Sequence, residues 1–550
     1  MSPNRKKTLI LSIDSGCWPY LDPVLAAGRM PNVARLIASG VRGVLESTMP
    51  PVTPVAFSSF ITGTNPGKHG VFDWAVRLAD GSTQPASASV RRGIPFWHYL
   101  NQVGVRVGVF NIPVTYPPQP IQGFLVPGIT VPKKAHNLTF PAEVLAWIQE
   151  RYGSYRVDVP HALLNEGVES YSAAWIRYEE LQTDAALTLM DQYKADVLAF
   201  NYASLDRINH FSPTQEHLET MLANVDAQIG RFADRYPEAN FVLMSDHGSR
   251  RIKSAFLLGK WLAQNGYAVY GGKSLDIPRH EINFALARYF QARGMTGAGE
   301  RVLRNLLQGV LTFTPPAMRR PVWRSMYDSV PETLEYRFTE RLNWVHTKVF
   351  AKSNSGPLFI NVAGISSNGR VREGEYEALR DDLIRDLLSV KDPMTGEQVF
   401  SQVYRREELY HGPRVAQAPD IIADYYDSAC DLIVDNDPGS FCFVNRINRF
   451  GDHVRDGLFV LSGPDFVNDA GSDHRASITD LPATLLHLYG VPIPQDFDGC
   501  PLEEFLLPEF RQQNPIRQQA AAAAAEVPSP DHSDEELEEL TEHLRGLGYL

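Results

Sequence analysis

A chain of 550 residues has room for one large α/β domain with insertions, or for two or three ordinary domains. Its 44% hydrophobic and 21% charged content is ordinary for a globular protein. With 52 Lys and Arg against 64 Asp and Glu the formal net charge is −12, which argues against a general nucleic-acid binder and leaves room for a local basic patch over an anionic substrate.

Arg5, Lys6 and Lys7 precede an apolar run that breaks at Asp14 without a convincing small-residue cleavage site. The N-terminus therefore reads as a first strand, Thr8 to Ile13, and not as a signal peptide. Further strands are expected at Arg42 to Glu46, Val105 to Phe110, Asp196 to Asn201 and Asn240 to Ser245. Helices are expected between them at Pro31 to Ser39, Pro54 to Thr62 and Thr183 to Tyr193. Short runs rich in Val, Ile, Leu and Phe suit strands buried on both faces, and their alternation with helices suits parallel βαβ units. The expected fold class is α/β, with a mostly parallel central sheet sandwiched between helices.

After Gly248 the character changes. Amphipathic helices at Ser254 to Gln264, Glu281 to Ala292 and Arg301 to Leu307, then Pro315-Pro316 and the basic Arg319, Arg320 and Arg324, read as an inserted, largely helical cap over 251–345. The three arginines form a solvated basic face by default, with a second anionic group as the competing use. Strands resume at Lys348 to Ala351, Leu358 to Val362 and Gly457 to Leu461, with helices at Glu375 to Leu388 and Ile478 to Tyr489. The expected organisation is a discontinuous core, 1–250 and 346–510, around the cap, then a linker over 511–532 and a C-terminal helix over 533–550. Ser533 to Glu536 is a capping-box pattern, and Gly546 stands where a glycine cap ends that helix.

No uninterrupted apolar stretch reaches the ~20 residues needed to cross a bilayer. The four cysteines, Cys17, Cys430, Cys442 and Cys500, form no C-x-x-C pair, so neither a disulfide framework nor a thiolate zinc site is expected. A reduced, cytoplasmic protein is the expectation, with its oligomeric state unread.

Open parallel sheets bind ligands at the carboxyl ends of their strands, and Asp14, Asp206 and Asp246 all stand at or just beyond such ends. His210 follows Asp206 by four residues, one helical turn away on the same face. His247 adjoins Asp246, and Gly248 eases the tight turn that lets both serve one ion. Carboxylates and imidazoles without thiolates suit a divalent metal, zinc first and manganese second. The competing reading makes each Asp a helix N-cap and each His an ordinary polar residue; the joint occurrence favours metal.

Thr53 stands before Pro54, a favoured first helical residue, so Thr53 is expected as the N-cap, its hydroxyl at the helix end that stabilises an anion. A metal-bound threonine alkoxide there is placed to attack phosphorus; a plain capping threonine is the alternative. Thr48 lies ahead of the helix, and Ser58 and Ser59 lie inside it. Asn111, at the end of a strand, is a candidate contact to a phosphoryl oxygen, with an Asx-type turn before Pro113 as the alternative. Lys68-His69 reads as a solvent-facing helix exit. Trp74, Trp97, Tyr116 and Trp323 read mostly as core, with a pocket wall as the alternative.

The segment Met49-Pro-Pro-Val-Thr53-Pro-Val-Ala-Phe-Ser-Ser-Phe-Ile-Thr-Gly63-Thr-Asn-Pro-Gly-Lys-His-Gly70 resembles the nucleophile region of the type I phosphodiesterase and nucleotide pyrophosphatase family, within the alkaline phosphatase superfamily. Asp14, Ser204-Leu-Asp-Arg-Ile-Asn-His210, Ser245-Asp-His-Gly248, Gly451-Asp-His453 and Asp480-Leu-Pro-Ala-Thr484 are similar to further family features. The resemblance implies one metal held by Asp206, His210 and His453, a second held by Asp14, Asp246 and His247, and Thr53 between them. His474, in Gly471-Ser-Asp-His474, competes with His453 for the last place. The implied protein is a two-metal hydrolase of a small-molecule phosphate ester, working through a covalent phosphothreonine and favouring a diester or pyrophosphate. The alternatives are a phosphomonoesterase, a phosphotransferase or mutase, or a noncatalytic binding protein. A sulfatase is disfavoured because no Cys/Ser-x-Pro-x-Arg motif occurs.

Overall fold

Six consecutive buried residues, Thr8–Ile13, form a central strand that pairs in parallel with Val197–Tyr202 on one side and Asn240–Met244 on the other. The computed structural model describes residues 6–521 except 79–82, 133–134, 136, 154, 271–341, 366–368, 435–441 and 445–448, together with 533, 536–537 and 539–541. Across the eight-stranded sheet the order is Asp469–Ser477, Gly40–Glu46, Phe459–Ser462, Asn240–Met244, Thr8–Ile13, Val197–Tyr202, Val107–Ile112 and Gly123–Pro127. Phe459–Ser462 runs antiparallel to both neighbours, and every other pairing is parallel.

Side chains of a strand alternate between faces, and here both faces are covered. Leu9, Leu11 and Ile13 join one hydrophobic cluster with the helices Trp18–Ala26, Val168–Tyr193 and Gln215–Arg235. Ile10 joins another with the helices Thr53–Thr62, Phe96–Gln102 and Asp480–Leu488. Burial on both faces is the reason these strands read as continuous apolar runs.

Three segments differ from expectation. The helix expected at Thr183 to Tyr193 is the last part of a 26-residue helix, Val168–Tyr193, whose buried stripe includes Glu179, Gln182 and Thr183, so an apolar periodicity does not reveal its first half. Ser254 to Gln264, expected as one helix, divides into a buried strand, Ser254–Leu257, and a helix, Leu258–Gln264. Pairing of that strand with Cys430–Ile433 and Phe443–Val444 overrides its local helical preference. Residues expected as the start of the linker are held to the body: Pro508–Gln513 is helical and Gln518–Gln519 pairs with Ile493–Pro494.

The strands Val349–Ala351 and Pro357–Ile360 form, but they belong to a separate antiparallel sheet with Ile421–Asp424 and Gln402–Arg405. The helix Glu373–Leu388 packs there through Leu383 and Leu387 into a third hydrophobic cluster. Most of the expected cap, including Glu281 to Ala292, Arg301 to Leu307, Arg319, Arg320, Trp323 and Arg324, lies outside the described residues, as does Gly546. The expected capping box forms: Ser533 Oγ accepts the Glu536 backbone N–H at 3.2 Å while the Ser533 N–H donates to Glu536 Oε2 at 3.0 Å. Among the described residues no helix is long and apolar enough to cross a membrane.

Candidate metal centre

Because Thr8–Ile13, Val197–Tyr202 and Asn240–Met244 are adjacent parallel strands, the segments that follow them emerge side by side at one sheet edge. Asp14 is the first residue after its strand. The helix Ser204–Phe211 follows the second and sets Asp206 and His210 one turn apart, with Nε2 of His210 3.2 Å from Oδ1 of Asp206. After the third, His247 Nε2 lies 3.3 Å from Asp246 Oδ2 and 3.7 Å from Asp14 Oδ1. The chain can turn there because position 248 is glycine: a Cβ would stand 2.2 Å from the Asp456 carbonyl oxygen.

That turn leads into Gly248–Arg251, which pairs antiparallel with Gly451–Val454 and sets His453 opposite Ser249. His453 is thereby stacked on His247 with ring centroids 3.8 Å apart, and its Nε2 lies 3.3 Å from both His210 Nε2 and Asp206 Oδ1. His474 goes elsewhere. It sits on the outermost strand, 3.1 Å from Asp469 Oδ2 and edge-on to Phe505.

All three clustered histidines turn Nδ1 to a backbone carbonyl: His210 to Gly451 at 2.8 Å, His453 to Pro51 at 3.0 Å and His247 to Gly248 at 3.2 Å. A carbonyl only accepts, so Nδ1 carries the proton and the Nε2 lone pair faces the cluster, the arrangement that orients imidazole as a metal ligand. Arg449 Nη2 lies 2.9 Å from Nδ1 and 3.0 Å from Nε2 of His210, so it does not distinguish the two tautomers.

Two overlapping groups have their ligand atoms within 4.8 Å of one another: Asp206, His210 and His453, and Asp14, Asp206 and His247. Asp206 therefore belongs to both, a sharing that the sequence grouping lacks. Asp246 stands beside the second group. Both of its carboxylate oxygens, and Oδ1 of Asp14, are buried and make no hydrogen bond within the protein. Buried acceptors without partners are costly. Two such carboxylates with three unpartnered oxygens, beside Asp206 and three Nε2 lone pairs at one edge, fit divalent cations.

Burial, with the Asp246 and Asp206 charges, pushes Asp14 well above the usual carboxylate range. Burial and then Asp206 push Asp246 up to about 7. Burial acts in the same direction on Asp206, but His210 and His453 outweigh it and hold this carboxyl well below its ordinary value. Burial and His247 lower His453 to about 3, keeping it neutral.

Thr53 reaches this centre, with Oγ1 3.3 Å from His247 Nε2. It is the first residue of its helix and not the N-cap: extended Val52 takes that position, its carbonyl accepting from Val55 and Ala56 at 3.0 Å. Pro54 at the second helical position allows this start, and the Thr53 hydroxyl is released from capping. The competing hydroxyls are engaged: Thr48 donates to the Pro50 carbonyl, Ser58 to that of Pro54, and Ser59 pairs with His69.

Asn111 stands one step back. In a left-handed conformation, φ 58°, it donates one of its two amide N–H groups to the Asn201 carbonyl at 2.8 Å. Asn201 in turn donates to Asp14 Oδ2 at 3.3 Å. Lys68-His69 is not a solvent-facing exit: His69 is fully buried and Lys68 pairs with Asp498 at 2.5 Å. Of the candidate aromatics, Trp74 lines a small cleft beside the centre with Val52, Tyr425, Tyr426, Arg449 and His453, while Trp97 and Tyr116 are core. Sequence reasoning missed Ser15, which donates to Asp206 Oδ1 at 2.7 Å from a strained φ of 67°, although its place after Asp14 was a signal. It also missed Arg449 and Asp452, 3.5 Å apart, for which only the neighbouring His453 offered a hint.

Among solved structures, murine ectonucleotide pyrophosphatase / phosphodiesterase 5 aligns at 14% identity and TM-score 0.46, covering 91% of this chain and 100% of that one. Its human counterpart aligns at 12% identity with the same coverage and TM-score. An inactive variant of the murine protein in complex with AMP aligns at 13%, again with TM-score 0.46 and the same coverage. Comparison with curated protein sequences returns no match. A family model does match, over residues 8–456, a span that takes in Asp14, Thr53, every clustered Asp and His, and His453. The chain belongs to the type I phosphodiesterase / nucleotide pyrophosphatase family and is a hydrolase of that metal-dependent class.

Proposed function

We propose that this enzyme cleaves a phosphodiester or pyrophosphate bond of a small-molecule substrate by attack of the Thr53 hydroxyl on phosphorus. The observation that carries the reading is the position of Thr53 Oγ1, 3.3 Å from His247 Nε2 and unengaged in capping. The Thr53 oxygen forms a bond to phosphorus as the bond to the leaving oxygen breaks, and the leaving alcohol or phosphate takes up the proton. Water then attacks the phosphothreonine, and the hydroxyl of Thr53 is restored.

Asp206, His210 and His453 would hold one divalent ion, and Asp14, Asp246 and His247 a second, with Asp206 near both. Such ions, zinc by first preference and manganese by second, supply the positive charge that activates a nucleophile and neutralises a leaving oxygen. The positive end of the helix Thr53–Thr62 faces the same phosphoryl group and favours its negative charge. Asn111 acts through Asn201 on Asp14 in this scheme.

Turnover of aryl phosphate diesters and monoesters by the purified protein, before and after chelation, tests the reading. Loss of diester turnover in chelator and its return with zinc are expected, with a phosphorylated Thr53 peptide after acid quench. Unchanged turnover in a strong chelator overturns the metal part; faster monoester turnover overturns the diester preference. A cytoplasmic setting is carried forward from the cysteine usage, and cell fractionation tests it.

A further inference from the structure

We propose that Glu179 is a positioning residue for the metal site: its carboxylate holds the start of the helix Ser204–Phe211 and thereby sets Asp206 and His210. The inference rests on the metal reading above.

The first N–H groups of a helix lack partners within it, and a Ser, Thr, Asp or Asn at the N-cap normally accepts one of them. Here the N-cap is Ala203, which has no side-chain acceptor. The acceptor comes from another helix. Glu179, in the middle of Val168–Tyr193, accepts the Ser204 backbone N–H through Oε1 at 3.1 Å. Its Oε2 accepts from Asn224 Nδ2 at 2.9 Å, on the helix Gln215–Arg235. One fully buried carboxylate thus joins three helices where the ligand-bearing one begins.

A buried carboxylate is expensive: the Ser204 and Asn224 donors are neutral, and burial raises the Glu179 carboxyl to about 7. In the ionised form the compensation available is the positive end of a helix together with charge-assisted hydrogen bonds, and in either form the oxygens accept from Ser204 and Asn224. Asp206 is the third residue of this helix, in the turn that Glu179 holds, and its carboxylate lies in both candidate ligand groups. Displacement of that turn disturbs the whole centre, whereas loss of the Asn224 contact disturbs only helix packing.

Metal-depleted full-length wild type, Glu179→Ala, Glu179→Gln and Asn224→Ala, titrated with zinc against a chromophoric chelator and melted in parallel, test this. Glu179→Ala is expected to weaken zinc affinity by about tenfold or more, the effect typical of residues that orient ligands, and Glu179→Gln, which keeps an oxygen for Ser204, by less than about threefold. Asn224→Ala should lower Tm and leave zinc affinity unchanged. Wild-type affinity in Glu179→Ala, or equal losses in Glu179→Ala and Asn224→Ala, would overturn the proposal. Should Glu179→Ala not fold, Glu179→Asp, one methylene short of Ser204, must show the zinc loss, and wild-type affinity there overturns it equally. A wild-type chain that binds no zinc overturns the metal reading and this inference with it, a result separable because it precedes any substitution.

Discussion

The carboxyl edge of the eight-stranded sheet carries the candidate metal centre, loops of the four-stranded antiparallel sheet between Val349 and Asp424 line the cleft beside His453, and the two contribute different things. From the large sheet come Asp14, Asp206, His210, Asp246 and His247, all on segments that leave strands buried on both faces. From the smaller sheet and its loops come Asn354, Ser355, Tyr425 and Tyr426, whose ring hydroxyls are tied to the Asn354 and Ser355 carbonyls at 2.9 and 2.8 Å. These groups follow strands that are buried along their whole length, and a small displacement of them is costly for catalysis. The wall of the cleft comes from a region with its own core, in which shape can change without moving a ligand.

The sharpest break of this division is at Thr53. Thr53→Ala is expected to cut diester turnover by on the order of 10³-fold or more while bound metal stays as in wild type. Residual turnover close to wild type would remove Thr53 from the chemistry. Next comes the sharing of Asp206 between the two candidate groups. At equal free zinc, Asp206→Asn should retain less metal than Asp14→Asn, and equal retention, read by elemental analysis, would mean that each carboxylate serves one ion.

Leu383 is fully buried in the smaller core, so Leu383→Ala should destabilise by about 2–5 kcal/mol in denaturant melts. Zinc affinity is expected to be unchanged in that variant, and a parallel loss would show that the two regions are mechanically one. The smallest expected effect concerns the contact between them. Asp73 accepts a hydrogen bond from the Ser353 hydroxyl, and burial raises its carboxyl from 3.8 to about 6. Between those values the folded chain binds the proton more tightly than the unfolded chain, so this group's contribution to stability is full below pH 3.8 and is lost as the pH rises through about 6. Asp73→Asn should flatten that part of the Tm against pH curve, and an unaltered slope would place the titration elsewhere.

The parallel strands were legible in the sequence because burial on both faces leaves an uninterrupted apolar run. The first half of Val168–Tyr193 was not, because its buried stripe includes Glu179, a residue whose partners lie on two other helices. Ser254–Leu257 was read as helix because four buried residues next to a helix carry no period that tells strand from helix, and the deciding partner is Cys430–Ile433.

Local chemistry in the sequence determined the strand ends at Asp14 and Asp246 and the one-turn spacing of Asp206 and His210, since each depends on a few adjacent residues. Family membership followed from the same short motifs. Only the tertiary structure decided that His453, and not His474, stacks on His247, that Asp206 lies between two groups, and that Thr53 is freed from capping to face them. The physical reason is distance along the chain. His453 is oriented by the carbonyl of Pro51, 402 residues earlier, through pairing of Gly451–Val454 with Gly248–Arg251, and no local preference encodes such a contact.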